Sequence, residues 1–543
     1  MKNRFFFIII SVLFFSKLNS QDIDIQSLIS TDVLFSTKSP VPLWLMARQE
    51  GRWGLKDTEQ FLAIAQVSLN KNIKYWNFLI DFELDYNTEM KKCYFQHGYA
   101  KIDYRFLNLT VGRHTFNPVF DKSYCGSGSY LFGDNYRPMD RITAGISNFT
   151  KLPFLWGIVE IRGELTHGRL DDTKGNFTNI EDFFYHKNIL LHEKYALVRL
   201  NLGKWKPYGG LYHSAFMGGY DRNGNEIKID YWKTFFAKSS QKTTKADSTN
   251  AAGAHMGMYD FGIYTTHDFG NIHFYYQKPF ADGSGMQFLR IDEDGFSIFK
   301  NNKDQIVGAN ISFLKTKWIK NLTIEWINTK YQSGEGFPDP IINGKFYTFS
   351  QIKRDIGFDK FMNSLGVPGE NFTYKQVYDY VKNNFNHGHN YGGRDGYMNN
   401  GDYPSGWAFH GQIMGSPLNL TRDQLLHSNA NLGNHESNYI VNDRFRAFHI
   451  GAKGEINKNL IWKTMMTFSV NYGSYYNEYP GRYTWERTEN YFFDGGLNQF
   501  YSMLGIEWMP KNFSKITLKN DFAFDIGDIF NTFAVKFGVK WIM

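Results

Sequence analysis

FAVKFGVKWIM, residues 533–543, is the stretch that decides the fold class. Successive side chains of an extended strand point to opposite faces. One face of this stretch is then entirely apolar, while the other carries two lysines and two small residues. A strand with this division needs an apolar environment on one side and a polar environment on the other.

The same alternation recurs along the chain, with apolar residues on one face and charged residues on the other. It is clearest in NFLIDFELDY (77–86), FLWGIVEIRGELTH (154–167) and SKITLKNDFAFDI (514–526). Segments of this kind predict about 18 strands, an even number, as in bacterial outer-membrane barrels. The pattern places the first strand at 42–50 and the last at 531–543.

The predicted connections differ in length at the two ends of the strands. Short joints near 71, 203 and 457 fall at one end. A soluble β-sandwich also alternates, but it has turns every 8 to 12 residues at both ends. The sorting therefore predicts an all-β fold, a transmembrane antiparallel β-barrel of about 18 strands with short periplasmic turns and long extracellular loops. The long connections are 115–140, 168–190, 218–254, 279–304, 330–443 and 473–498.

The N-terminus has the pattern of an export signal. Lys2 and Arg4 precede the apolar run FFFIIISVLFF, which is too short to span a bilayer. The predicted organisation is a cleaved signal peptide at 1–20, a periplasmic segment at 21–41 and the barrel at 42–543. Within the barrel, 330–443 forms a long loop that is extracellular or folded inward.

Composition excludes some functional classes. Aromatic residues make up 18% of the chain, and the mean hydropathy is −0.44, unlike that of a helical membrane protein. The formal charge of +7 falls when the basic residues of the signal peptide are removed. This slight basic balance predicts no nucleic-acid partner.

Strand parity predicts a lumen lined by charges of both signs. Such a lumen favours ion pairs between strands, or an anchor for an inward-folded loop, over simple ion selectivity. Parity also places Cys93 and Cys125 at the same external end, which predicts a disulfide between them. The predicted lumen-facing set is Asp81, Glu83, Asp85, Glu160, Arg162, Glu164, Asp260, Glu325, Lys453, Glu455, Lys463, Lys515, Lys519, Asp521 and Asp525.

The centre of the long loop is rich in aromatic, amide and charged residues. Sugars present apolar C–H faces that stack on aromatic rings, and hydroxyls that pair with amides, carboxylates and guanidinium groups. One interpretation is therefore a glycan site, and the other is that these residues fold the loop into the barrel mouth. The candidate glycan-binding residues are Tyr391, Arg394, Asp395, Tyr397, Asn399, Tyr403 and Trp407.

Metal and catalytic sites are not predicted. The loop also contains histidines, but His387, His389, His410, His427 and His435 match no zinc spacing. The paired carboxylates of RLDD (169–172) are interpreted as solvated, and no nucleophile elbow stands out. The sequence therefore predicts a protein without a cofactor and without enzymatic activity.

A series of motifs resembles the capsule assembly Wzi family, in the form found in bacteria of the Bacteroidetes type. The motifs, in order, include PLWLMARQEGRWG, VGRHTFNP, PMDRITAGI, HGRLDD and NNGDYPSGWAFHGQIMGSPL. The resemblance implies an 18-stranded outer-membrane barrel that acts as a surface lectin, holding capsular polysaccharide without transforming it. It supplies no residue-by-residue binding site.

Two functional hypotheses follow. The first is a non-catalytic lectin-like barrel that binds capsular or other surface polysaccharide and assists capsule assembly. The second is a diffusion channel for oligosaccharides or other polar solutes. The expected partners are surface polysaccharide and outer-membrane lipid, and the sequence leaves open whether polysaccharide export machinery contacts the periplasmic turns.

Overall fold

A computed structural model describes residues 23–543 except for several short stretches. The excepted residues are 121–123, 173–185, 222–223, 245–246, 248–250, 282, 287–288, 293–294, 300–301, 333–340, 343–344, 347–350, 386–395, 404, 426–429, 434–438 and 480–486. The predicted signal peptide at 1–20 lies outside the described residues and stays a prediction.

Among the described residues, 18 antiparallel strands form one closed sheet, which confirms the predicted barrel. The strands are β1 (Asp24–Ser36), β2 (Glu59–Ile73), β3 (Trp76–Asn87), β4 (Lys92–Tyr104), β5 (Leu107–His114), β6 (Met139–Lys151), β7 (Val159–Leu170), β8 (Ile189–Leu200), β9 (Trp205–Met217), β10 (Ala254–His267), β11 (Gly270–Phe280), β12 (Gln305–Phe313), β13 (Asn321–Asn328), β14 (Phe445–Asn457), β15 (Leu460–Asn471), β16 (Leu497–Trp508), β17 (Ile516–Gly527) and β18 (Thr532–Ile542).

Closure joins the first strand to the last. Strand β1 pairs with β18 from Leu28↔Ile542 to Ser36↔Ala534, and on its other edge it pairs with β2. A closed sheet leaves no row of unpaired amide groups, which hydrocarbon could not satisfy.

The two faces of the wall have opposite character. Large apolar side chains such as Phe82, Ile142, Phe274 and Phe537 are exposed on the outer face. Charged and polar side chains alternate with them and are buried in the lumen. This outward apolar belt and polar interior are those of an outer-membrane barrel. Seven of the fifteen predicted lumen-facing residues are buried there, namely Asp81, Glu83, Asp85, Glu160, Asp260, Glu325 and Asp525.

Connection lengths are sorted between the two ends as predicted. One end, called here the short-turn end, has connections such as 74–75, 105–106 and 458–459. The other, the long-loop end, receives 37–58, 115–138, 218–253 and the longest connection, 329–444.

The predicted first strand at 42–50 is wrong, and so is the assignment of 21–41 to a segment outside the barrel. Asp24–Ser36 forms β1, and residues Leu43–Met46 form a short helix, α1, inside the lumen. The apolar run of α1 is buried on all sides and does not alternate. The alternation in β1 is weak, because Leu34 is an apolar residue on the lumen face and Thr31 is a polar residue on the outer face.

The remaining elements lie in connections at the long-loop end, except for the 3-10 turn Pro153–Leu155 at the short-turn end. The helices are α2 (Tyr231–Phe235), α3 (Gly283–Met286), α4 (Phe358–Ser364), α5 (Tyr374–Phe385) and α6 (Tyr475–Glu478). The others are a 3-10 turn, Arg422–Leu425, a π turn, Gln351–Ile356, and short strands Leu289–Asp292, Gly295–Ile298, Ile341–Ile342, Lys345–Phe346, Ala408–Phe409, Gln412–Ile413, Leu420–Thr421 and Ile440–Asn442. In the part of the chain that is described, no helix is long and apolar enough to cross a membrane.

Four stretches enter the lumen and pack together there. They are 41–55, 124–136, 396–403 and 405–425, and together they are called the plug. Their apolar residues form one core with inward-facing residues of strands around the wall. The wall residues of this core include Leu34, Leu62, Met139, Leu191, Tyr212, Met258, Tyr275, Ile306, Ile327, Ala447, Met465, Tyr501, Ala523 and Ala534.

The predicted disulfide is also wrong. Both cysteines are described, and no disulfide joins them. Cys93 is exposed on β4, opposite Tyr86 of β3, on the outer face of the wall. Cys125 is buried in the plug, where its carbonyl oxygen accepts a hydrogen bond from His449 Nε2 at 2.8 Å. Parity identified their shared end, but it could not show that the wall separates them.

Candidate functional site

Backbone hydrogen bonds tie the stretches of the plug to one another. Gly133 N–H donates to Met414 O at 2.6 Å, and Ser416 N–H donates to Tyr130 O at 3.1 Å. Asn135 Nδ2 adds a bond of 2.6 Å to Gly415 O. Glycine at position 415 permits this close approach of the two stretches, because a Cβ there would lie 2.2 Å from Tyr130 O.

Arg52 connects the plug to the wall through carboxylates. Its guanidinium pairs with Glu50 at 2.9 Å and Asp85 at 3.1 Å, and also with Glu83. Burial lowers the pKa of Arg52, but the three carboxylates outweigh that effect and raise the pKa well above its ordinary value. The mixed lumen charge therefore serves as an anchor for an inward-folded segment, one of the uses that the sequence predicted.

The aromatic candidates for glycan stacking are instead parts of the plug core. Tyr397, Tyr403 and Trp407 are each at most 3% exposed. The Trp407 ring lies 4.2 Å from that of Phe216, and Tyr403 packs edge-on against the same ring at 5.6 Å. Tyr397 Oη donates to Asp304 at 2.9 Å. A ring must have an exposed face to stack on a sugar, so the structure contradicts the stacking role for these rings.

Of the four remaining glycan-binding candidates in the loop, the structure describes one. Asn399 Nδ2 donates to Ile440 O at 2.9 Å, and Asn399 Oδ1 accepts from Ile440 N–H at 3.2 Å, so this amide closes a loop. Tyr391, Arg394 and Asp395 lie outside the described residues, and their glycan role stays a prediction.

A cleft at the long-loop end brings other polar groups together. It has a volume of about 340 Å³ and lies where β5, β6 and β7 end, beside the short strand Ala408–Phe409. This feature is called the rim cleft. Its lining consists of arginines, aspartates, one aromatic ring and one imidazole, with two neighbouring residues, as follows: Arg113, Arg137, Pro138, Met139, Asp140, Arg169, Asp171, Phe409 and His410.

Two ion pairs face the rim cleft from the strand ends. Arg113 pairs with Asp140 through two bonds, Nε to Oδ1 at 3.0 Å and Nη2 to Oδ2 at 3.1 Å. Arg169 Nη2 pairs with Asp171 at 3.0 Å. The four side chains are 36% to 67% exposed, so N–H groups and carboxylate oxygens of both pairs reach solvent.

The aromatic side of the rim cleft is held by a buried carboxylate. Asp172 accepts the backbone N–H of His410 at 3.0 Å, and it also accepts the N–H of His186. Burial raises the pKa of Asp172, although these hydrogen bonds oppose the rise. The His410 ring lies 4.3 Å from that of Phe409, and burial lowers the pKa of His410 to about 3, which keeps the imidazole neutral at physiological pH.

A second space, the lumen chamber, lies between the plug and the short-turn end. It has a volume of about 630 Å³ and is lined by both acids and bases. Asp81 and Glu83 line it from β3, while Lys463, Lys519 and Lys536 line it from β15, β17 and β18. Trp44 of α1 lies in its lining, with the ring 5.1 Å from that of His449.

Sequence reasoning missed the rim cleft, although a signal was available. The motifs VGRHTFNP, PMDRITAGI, HGRLDD and the long-loop motif contain all the lining residues except Arg137. In the first three, the polar residue stands at the end of a predicted strand, where side chains of neighbouring strands meet. The sequence predicts that Asp171 and Asp172 are solvated. In the structure, Asp171 lines the cleft, whereas Asp172 is buried and accepts two backbone hydrogen bonds.

Comparison with known proteins assigns no family. No protein-family model matches the chain, and no curated protein matches it. Among solved structures, Wzi, an Escherichia coli outer-membrane protein involved in group 1 capsule assembly and described as a carbohydrate-binding β-barrel, has 10% identity and a TM-score of 0.48. That alignment covers 94% of this chain and 83% of Wzi.

Two porin-sized barrels of Pseudomonas aeruginosa are similar to a comparable degree. OccK5 (OpdH) has 8% identity and a TM-score of 0.42, covering 96% of this chain and 98% of its own. OpdQ has 8% identity and a TM-score of 0.43 with the same coverage. Likenesses of this size assign neither a family nor a function, so the functional argument depends on the geometry of the chain itself.

Proposed function

We propose that this outer-membrane barrel is a non-catalytic glycan-binding protein that retains capsular or other surface polysaccharide at its rim cleft. The observation that carries the proposal is the pair of partly exposed Arg–Asp ion pairs facing one cleft beside Phe409 and His410. It agrees with membership of the Wzi family, which is part of the same proposal.

The chemistry of the rim cleft suits a polyhydroxylated ligand. The carboxylates of Asp140 and Asp171 accept hydrogen bonds from sugar hydroxyls, and Arg113 and Arg169 donate to hydroxyl or carboxylate oxygens. Because each arginine is already oriented by its aspartate, binding orders few additional torsions. The cleft volume of about 340 Å³ is within the range of small-ligand sites.

The plug supports retention at the surface over passage through the barrel. Its core contacts strands around the wall, so packed protein occupies the lumen that a polymer would have to cross. The binding groups lie at the strand ends, on the side of the long connections.

The test is binding of purified surface polysaccharide to the full-length barrel in detergent. We expect R113Q/R169Q to bind at least about 100-fold more weakly, since charge-assisted hydrogen bonds contribute about 1.5–3 kcal/mol each and two arginines are changed. The matched control is R105Q, because Arg105 is an exposed arginine at the short-turn end, between β4 and β5. Equal binding by R113Q/R169Q and the unaltered chain would remove the rim cleft from consideration.

The lumen chamber favours a second candidate, a diffusion channel for polar solutes. Its charged lining and its position toward the short-turn end are typical of a solute path. Planar-bilayer conductance decides between the two. A glycan-retaining barrel closed by its plug gives no steady conductance, whereas steady open-channel current from the unaltered chain would favour the channel.

A further inference from the structure

Part of the connection between β9 and β10 lies against the outer face of the barrel. Its helix α2 lies over β7 and β8 at the positions of His167, His192 and Lys194. These three side chains alternate with Thr166, Glu193 and Tyr195, which are buried in the lumen. They therefore face outward, on the side of the apolar belt, three to five residues from the strand ends.

One side of α2 is fixed to the wall. Tyr231 Oη hydrogen-bonds His167 Nε2 at 3.1 Å, with the two rings stacked at 5.7 Å. Phe235, one turn later, lies 4.9 Å from the His192 ring. Lys194 Nζ donates to Phe235 O and lies 3.4 Å from the centre of the Phe235 ring. The helix is thus held in place by several independent contacts.

The opposite side of α2 presents two aromatic rings away from the barrel. Trp232 is 65% exposed and Phe236 is 59% exposed, and their rings stack at 6.3 Å. The wall below them continues the same apolar surface, with Leu165 and Val198 exposed on β7 and β8. The two rings therefore extend the lipid-facing belt toward the long-loop end, where indole rings favour the headgroup level.

Two lysines accompany these rings. Lys233 lies between them in the helix, and Lys238 N–H donates to Lys233 O at 2.8 Å. Lys238 Nζ lies 5.9 Å from the centre of the Phe236 ring. The nearest acid in the sequence, Asp230, is half-buried and accepts a hydrogen bond from Ser240 Oγ at 2.7 Å, whereas Lys233 and Lys238 are exposed. We call Trp232, Lys233, Phe236 and Lys238 the interfacial patch.

We infer that the interfacial patch binds one lipid whose headgroup carries a phosphate monoester, with its acyl chains against the outer face of β7 and β8. Charge complementarity and continuity with the apolar belt support this occupant. A phosphate monoester carries about −1.5 to −2 charge and three acceptor oxygens, which two adjacent ammonium groups match. This inference does not depend on glycan binding at the rim cleft.

The first experiment measures lipid retention by native mass spectrometry of the full-length barrel released from detergent. The probes are phosphatidic acid, a monoester, and phosphatidylglycerol and phosphatidylcholine, both diesters. We expect preferential retention of one phosphatidic acid, and about 30-fold weaker retention by K233Q/K238Q, roughly fivefold for each lysine near an anionic headgroup. Equal retention of the three lipids, or no loss in K233Q/K238Q, would overturn the inference.

A matched control separates this site from general charge. Lys91 and Lys92 are exposed lysines at the same end of the barrel, at the start of β4. K91Q/K92Q removes the same charge, and we expect it to retain phosphatidic acid like the unaltered chain. An equal loss in both variants would show a nonspecific charge effect and overturn the inference.

The second experiment places the lipid beside Trp232. Brominated acyl chains quench tryptophan fluorescence on contact, so the difference in quenching between the unaltered chain and W232F reports Trp232 alone. We expect brominated phosphatidic acid to quench this component more strongly than brominated phosphatidylcholine does. No difference between the two lipids would contradict the proposed headgroup, even if the lysine variants had lost retention.

Discussion

Leu43 of the plug donates its backbone N–H to Asp525 Oδ2 of β17 at 2.9 Å, joining residues 482 positions apart in the sequence. The carboxylate lies on the lumen face of the wall and is 2% exposed. Helix α1 is therefore attached to the barrel by a buried hydrogen bond as well as by apolar packing.

Removing this attachment should loosen the plug. D525A leaves the Leu43 N–H without its acceptor, which costs about 1–3 kcal/mol. We expect faster amide exchange in residues 41–47 and intermittent conductance in planar bilayers, with the barrel still assembled. D528N is the control, since Asp528 accepts a bond from Asn498 N–H outside the plug. Unchanged exchange in D525A would show that apolar packing alone holds α1.

Gly451 should be required for docking of the 124–136 stretch. A Cβ at this position of β14 would lie 1.8 Å from Cys125 O, a distance at which the backbone must move. We expect G451A to lower the thermal stability of the plug and to expose Cys125 to thiol reagents. Gly401 is the matched control, because a Cβ there meets nothing within 4 Å. Equal stability of G451A and G401A would contradict the close approach.

Plug stability should rise as the pH falls through 6. Burial raises the pKa of Asp423 to about 6, against about 3.9 in an unfolded chain. The folded state then binds this proton more tightly, so the contribution is complete below about pH 4 and is lost as pH rises through 6. We expect slower amide exchange in residues 420–425 at pH 5 than at pH 7.5.

The control for that prediction is D423N, whose amide resembles the protonated acid and should give a flatter pH dependence. His410 acts in the opposite direction, because its lowered pKa makes its contribution decline as pH falls below about 6.5. Asp443, whose pKa burial raises to about 6, acts in the same direction as Asp423. The difference between the unaltered chain and D423N isolates Asp423, and identical pH profiles would contradict the prediction.

The two cysteines should react separately. Cys93 is exposed on the outer face, whereas Cys125 is 1% exposed and burial raises the pKa of its thiol. A small maleimide should label one thiol in the folded barrel and both in denaturant, without a reducing agent. Mass spectrometry of peptides identifies the labelled residue, and a linked peptide containing both cysteines would contradict the structure.

Strand parity predicted most of the wall because each wall residue meets either lipid or the lumen. Phe82 and Glu83 illustrate this rule, since adjacent residues meet opposite environments and the sequence shows the contrast directly. The plug follows no such rule. Trp407 and Tyr403 are as apolar as lipid-facing residues, and only their contacts with Phe216 across the lumen distinguish core packing from a stacking surface.

Only part of the rim cleft could be predicted, for a related reason. Arg113 and Asp140 are partners in the strand register, so a correct pairing of β5 with β6 would have brought them together. Arg169 and His410 join them from β7 and from a connection more than 200 residues later. Periodicity within one strand contains no information about such distant associations.

Ser30 of the first strand pairs with Lys540 of the last, so the barrel can close only after the last strand has been synthesised. Ribosomes produce the amino end first, so one edge of β1 can pair with β2 early, whereas its other edge has no partner until β18 has been made. Until then, both edges of the sheet have unpaired N–H and C=O groups, which can pair with another chain. A chain truncated before its last dozen residues would keep both sheet edges exposed, which makes it a natural target for periplasmic chaperones and proteases.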